Sequence, residues 1–84
     1  MKLIVYSKSA QRALTSMPRN WALRVREKIE AFAQDPASLA NNVRSLRGEV
    51  DILRLRVGDW RVIMRDGIVL DILEVKPRGS AYKE

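Results

Sequence analysis

Residues 51–65 read Asp51-Ile52-Leu53-Arg54-Leu55-Arg56-Val57-Gly58-Asp59-Trp60-Arg61-Val62-Ile63-Met64-Arg65, and this stretch decides the fold. Two runs of period-two alternation flank Gly58-Asp59, and a two-residue Gly-X loop between strands is the signature of a type II′ hairpin turn. Such a turn sets Val57 opposite Trp60, Arg56 opposite Arg61 and Leu55 opposite Val62. Successive side chains on a strand point to opposite faces. One face therefore carries Leu53, Leu55, Val57, Trp60, Val62 and Met64. The other carries Arg54, Arg56, Arg61 and Arg65, with Ile52 and Ile63 among them.

The first face is a core face. The second places two arginines directly across from each other, and like charges so placed cost roughly 0.2–1 kcal/mol. A face needing only solubility could use threonine or mixed signs. Arginine's planar fork binds two oxygens at once, so an anionic ligand met by several guanidiniums together explains the pattern. The alternative is a solvated sheet face in a basic protein.

The chain has 84 residues, the size of one small domain, with a net charge of +6. That balance points to a polyanion, nucleic acid first, or to an acidic protein partner. There is no cysteine and no histidine. The usual zinc ligands, the Cys–His and Ser–His pairs and the commonest general base are thereby removed. Chemistry would have to run on Lys, Arg, Tyr, carboxylates or backbone, and neither a metal nor a cofactor is expected. The lack of cysteine fits a reducing cytoplasm. No stretch approaches the roughly eighteen apolar residues of a membrane span. The opening Met1-Lys2-Leu3-Ile4-Val5-Tyr6 lacks a signal peptide's apolar run and reads as a strand.

Leu3–Tyr6, rich in β-branched and aromatic residues, is the predicted first strand. Ser7 offers an N-cap for a helix over Lys8–Ser16 that buries Ala10, Leu14 and Met17. Pro18 fits the start of a second helix, Arg19–Gln34, in which Trp21, Val25, Ile29 and Phe32 form one stripe. Arg24, Glu27, Lys28 and Glu30 lie away from it. Asp35-Pro36 ends that helix, because the residue before proline avoids helical backbone. The two stripes make a helical hairpin that covers the Leu55/Trp60/Val62 face. Ala37–Ser45 reads as a polar connection with a turn at Asn41-Asn42, and Gly48 as a turn or bulge before the hairpin.

A last strand is expected over Ile68–Val75. A three-residue loop, Arg65-Asp66-Gly67, would send Ile68, Leu70 and Ile72 to the core, put Gly67 in the left-handed region and set Asp71 opposite Arg61. The predicted class is α+β, in the order β-α-α-β-β-β, with the helical hairpin on one face of a mainly antiparallel twisted sheet. The segment from Glu74 to Glu84 emerges near the Gly58-Asp59 end. It can add Lys76, Arg78 and the Tyr82 ring to the rim of the arginine cluster, where cations hold phosphates and an aromatic ring stacks a base.

The element order, the run Leu46-Arg47-Gly48…Leu53-Arg54-Leu55-Arg56-Val57-Gly58-Asp59-Trp60-Arg61-Val62-Ile63, and the basic pair followed by a tyrosine resemble the RelE/ParE superfamily of bacterial type II toxin–antitoxin toxins. The resemblance spans nearly the whole chain. It implies a RelE-like endoribonuclease that cleaves mRNA in the ribosomal A site and so inhibits translation. It assigns Arg54, Arg61, Arg78 and Tyr82 to catalysis, and Arg56, Arg65, Lys76 and Arg47 to holding RNA phosphates. Ile52 departs from the best-known pattern, which has a lysine there, and leaves the general base unassigned. The resemblance also implies a cognate antitoxin, often with an extended acidic segment, in a hetero-oligomer. Two alternatives share the scaffold: a ParE-like inhibitor of DNA gyrase, and an inactive toxin fold that only binds its antitoxin.

Overall fold

The computed structural model describes residues 1–46 and 51–77. Arg47, Gly48, Arg78 and Tyr82 lie outside the described residues. The elements run β1 (Ile4–Tyr6), α1 (Lys8–Ser16), α2 (Arg19–Gln34), a 3-10 segment (Pro36–Asn42), β2 (Val43–Ser45), β3 (Ile52–Val57), β4 (Trp60–Asp66) and β5 (Leu70–Pro77). The class is α+β, as expected, and both helices have the predicted bounds. The expected connection over Ala37–Ser45 instead holds the 3-10 segment and a fourth antiparallel partner, β2. A three-residue strand leaves almost no periodicity to read.

The five strands are ordered β1-β5-β4-β3-β2, with β1 parallel to β5 and the other pairs antiparallel. The helical hairpin covers one sheet face. Leu55, Val57, Val62, Met64, Leu70, Ile72 and Val75 from the strands meet Ala10, Leu14, Met17, Val25, Ile29 and Phe32 from the helices in one buried cluster. Trp21 is half-buried at its rim, with the Arg24 guanidinium 5.0 Å from its ring centre. On β1, burial pushes the Tyr6 phenol above its ordinary pKa of 10.0, while the Arg26 guanidinium, 5.3 Å from the ring centre, pulls it down.

The β3–β4 register is the predicted one, with Val57 opposite Trp60, Arg56 opposite Arg61 and Leu55 opposite Val62. Gly58 has φ +59° and Asp59 is not among the residues with positive φ, as a type II′ turn requires.

The β4–β5 register differs from expectation. A loop over 65–67 would pair Met64 with Ile68, but Met64 faces Ile72 and Arg65 faces Asp71. Asp71 therefore does not lie opposite Arg61. Strand β4 continues to Asp66, the loop is 67–69, and Gly67 has no positive φ. Ile68, expected in the core, sits at the loop tip and is 97% exposed. Leu70 and Ile72 are buried as expected, because the slide is by an even number of residues and preserves the faces. A shift between Ile63 and Met64 leaves Leu73 without a β4 partner. This bulge lets Ile72 and Val75 both face the core, whereas strict alternation would bury Glu74.

Short β1 fixes this arrangement. Ile4 pairs with Leu70 and Tyr6 with Ile72, the Leu70 N–H donates to the Leu3 carbonyl at 2.8 Å, and Lys2 pairs with Asp66. Ser7 ties the bulge to α1: its Oγ accepts from Ala10 N at 2.9 Å and donates to the Leu73 carbonyl at 2.8 Å. Ser7→Ala removes both bonds and should lower stability by about 1–2 kcal/mol, read as a lower urea midpoint at unchanged slope.

Candidate functional site

The face opposite the helices is built in cross-strand rows. The Gly58-Asp59 turn fixes Arg56 against Arg61, and β5 adds Lys76 beside Arg61. The next row along runs Arg44 on β2, Arg54 on β3, Ile63 on β4 and Glu74 on β5. Neighbouring strands are about 4.8 Å apart, so these guanidiniums form a continuous cationic surface.

Arg54, Arg56, Arg61 and Trp60 line an open cleft of about 140 Å³. Trp60 packs partly against the core and also walls this cleft, a role that its place in the apolar alternation concealed. No carboxylate lines it. Among the described residues, the ion pairs of this face include Lys76 Nζ to Glu74 Oε1 at 3.1 Å, an exposed contact that contributes little to stability.

The predicted residues divide as follows. Arg54, Arg56 and Arg61 converge on the cleft, and Lys76 lies next to Arg61. Arg65 shares their face but stands four residues along β4 from Arg61, about 13 Å away, beside Asp71. It is not part of the cleft. Arg47, Arg78 and Tyr82 fall outside the described residues. Ile52 is on the same face, opposite Arg65, and is only 7% exposed. Arg44 was not predicted. Its only signal is the brief alternation Val43-Arg44-Ser45, too short to identify a strand.

The arrangement can gather adjacent phosphates and stabilise negative charge that develops between Arg54, Arg56 and Arg61. Among the described residues no group of three or more Asp or Glu side chains is placed to hold a metal ion, and no helix is long and apolar enough to cross a membrane.

Residues 4–82 match the family model of the ParE toxin of type II toxin–antitoxin systems, parDE. The chain is also similar to a solved archaeal RelE–RelB complex from Pyrococcus horikoshii OT3, at 31% identity and a TM-score of 0.79, over 95% of this chain and 98% of that one. The isolated E. coli RelE toxin superposes with a TM-score of 0.80 at 13% identity, over 96% and 88% of the two chains. The RelBE2 toxin–antitoxin complex from Mycobacterium tuberculosis does so with a TM-score of 0.75 at 22% identity, over 92% and 98%. The last two likenesses concern the fold alone. No curated protein sequence matches the chain. A family match along almost the whole chain, on a sheet and helical hairpin of RelE shape, makes this protein a member of the RelE/ParE superfamily of type II toxin–antitoxin toxins.

Proposed function

We propose that this toxin is a RelE-like, ribosome-dependent mRNA endoribonuclease. The observation that carries the reading is the cleft in which Arg54, Arg56 and Arg61 converge with Trp60 and no carboxylate. A site built from guanidiniums suits RNA cleavage by the substrate's own nucleophile. The ribose 2′-oxygen attacks the adjacent phosphorus and loses its proton to solvent water, a 2′,3′-cyclic phosphate forms, and the bond from phosphorus to the 5′-oxygen breaks. That leaving oxygen takes up a proton.

Arg61 and Arg54 stabilise the charge on the phosphorane-like transition state, and Arg56 holds a flanking phosphate. Lys76 or Arg78 assists the leaving oxygen, and Tyr82 stacks on or orients the base. Arg47 and Arg65 hold phosphates farther along the RNA. Free tyrosine and arginine have pKa values far above 7, so positioning on the ribosome supplies much of the acceleration. The reading places the toxin in the cytoplasm, with a cognate antitoxin as its partner. The P. horikoshii relative was solved as a RelE–RelB complex, and a basic face of this kind attracts an extended acidic segment.

A second reading is supported by the ParE family model and by the buried Ile52 where a RelE-like lysine is expected: inhibition of DNA gyrase by binding. Purified toxin on programmed ribosomes should give codon-specific cuts and leave gyrase supercoiling unaffected. Blocked supercoiling with intact mRNA would reverse the assignment.

A further inference from the structure

The arginine cleft does not end at β3. A second, smaller recess of about 70 Å³ lies beside it, lined by Asn41, Asn42, Arg44, Arg54 and Arg56. The two recesses share Arg54 and Arg56, so they are contiguous. Arg44 reaches the second one because β2 sets it directly opposite Arg54. Asn41 and Asn42 reach it because the 3-10 segment ends on them just before β2.

Three guanidiniums border this recess and no carboxylate does. Among the described residues, Arg44, Arg54 and Arg56 have no ion-pair partner. Arg44 and Arg54 repeat, one strand over, the like-charge opposition of Arg56 and Arg61. Each such pair weakens the sheet rather than strengthening it. A pair that recurs on the adjoining strand pair is accounted for by a ligand that crosses both. The span from β4 to β2 is two strand spacings, about 10 Å, wider than one phosphate can bridge. The carboxamides add what guanidiniums lack, since each presents an acceptor as well as donors to a base edge.

We infer that Asn41, Asn42 and Arg44 form a subsite for the nucleotide next to the one held by Arg54 and Arg61. Arg44 takes its phosphate and the two asparagines contact its base. The ligand is single-stranded RNA that crosses the sheet from β4 over β3 to β2. The inference rests on the nuclease reading and adds to it a residue set that selects sequence beside the cut.

The test uses full-length toxin and a 2′-O-methyl hexanucleotide, which cannot be cleaved, titrated by fluorescence anisotropy over a range of salt. For single strands the slope of log K against log salt is about −0.7 per phosphate neutralised. Arg44→Ala should weaken binding several-fold at low salt and reduce the slope by about 0.7. Arg44→Lys should keep the slope. The double variant Asn41→Ala/Asn42→Ala should keep the slope but flatten the affinity differences among hexanucleotides that vary at one base. Asn41, Asn42 and Arg44 are exposed, so folding of these variants is checked by an unchanged thermal transition. If Arg44→Ala binds like the parent while Arg61→Ala binds more weakly, the subsite is wrong and the nuclease reading stands. If neither variant binds differently, the subsite falls, and the nuclease reading is decided by cleavage on programmed ribosomes. A loss by Arg44→Ala confined to polyglutamate, with the oligonucleotide unaffected, overturns the subsite in favour of a protein partner.

Discussion

Arg61→Ala is expected to lower the rate of codon-specific mRNA cleavage on programmed ribosomes by at least ~10²-fold, the scale of removing one transition-state donor. Arg61 sits on the central strand β4, half-buried, between Arg56 on β3 and Lys76 on β5. Arg56 across the strand pair adds positive charge beside it, and Arg61 lines the cleft with Arg54, so a phosphoryl group that gains charge there meets more than one guanidinium. The loss should fall on turnover more than on ribosome binding, because the interaction strengthens only as the phosphorane forms. Arg61→Lys should be intermediate, since it keeps the charge but not the two-oxygen fork.

Arg56→Ala gives an independent sign. It removes one member of the opposed pair, so stability should hold or rise by up to ~1 kcal/mol while phosphate affinity falls. Opposite changes in stability and function are what a ligand-binding face predicts and a merely solvated face does not. Cleavage by Arg61→Ala at the parental rate would remove this residue from the chemistry.

Gly58→Ala should destabilise the fold by about 2–4 kcal/mol, from two sources. Gly58 has φ +59°, a backbone region that costs a residue with a Cβ about 1–2 kcal/mol. A Cβ there would also stand 2.6 Å from Cζ3 of Trp21, so the indole must shift out of its seat against the turn. A domain of this size has a total stability of only about 4–13 kcal/mol. The thermal transition should therefore drop by at least ~10 °C. A double-mutant cycle separates the terms. In a Trp21→Leu background the smaller side chain relieves the crowding, and Gly58→Ala should then cost only the backbone part. Equal costs in both backgrounds would mean that the indole does not press on the turn. The same change should disturb the site, because Gly58 sets the register that brings Arg56 against Arg61.

Both predictions concern the part of the molecule that its amino-acid order specifies most directly. A two-residue turn leaves one register for the strands on either side, so the Arg56–Arg61 pair and the segregation of Trp60, Val62 and Met64 from the arginines follow from local rules. The helix limits are equally local: Ser7 supplies a cap, Pro18 interrupts, and Asp35-Pro36 terminates. Each depends on neighbours within a turn of chain.

What only the tertiary structure decided depends on contacts distant in sequence. The slide of β5 along β4 follows from the anchorage of Leu70 and Ile72 by β1, more than sixty residues earlier in the chain. It exposes Ile68, pairs Asp71 with Arg65, and brings Lys76 to Arg61. The bulge at Leu73 exists because Val75 must reach the core and Glu74 must not, with Ser7 taking the displaced carbonyl. Strand β2 is three residues long and has no pattern of its own, so Arg44 joins the cationic face only through its pairing with β3. Pairing across a short loop is encoded by the residues that make the turn, whereas the alignment of distant or very short strands is set by which apolar side chains can be buried together.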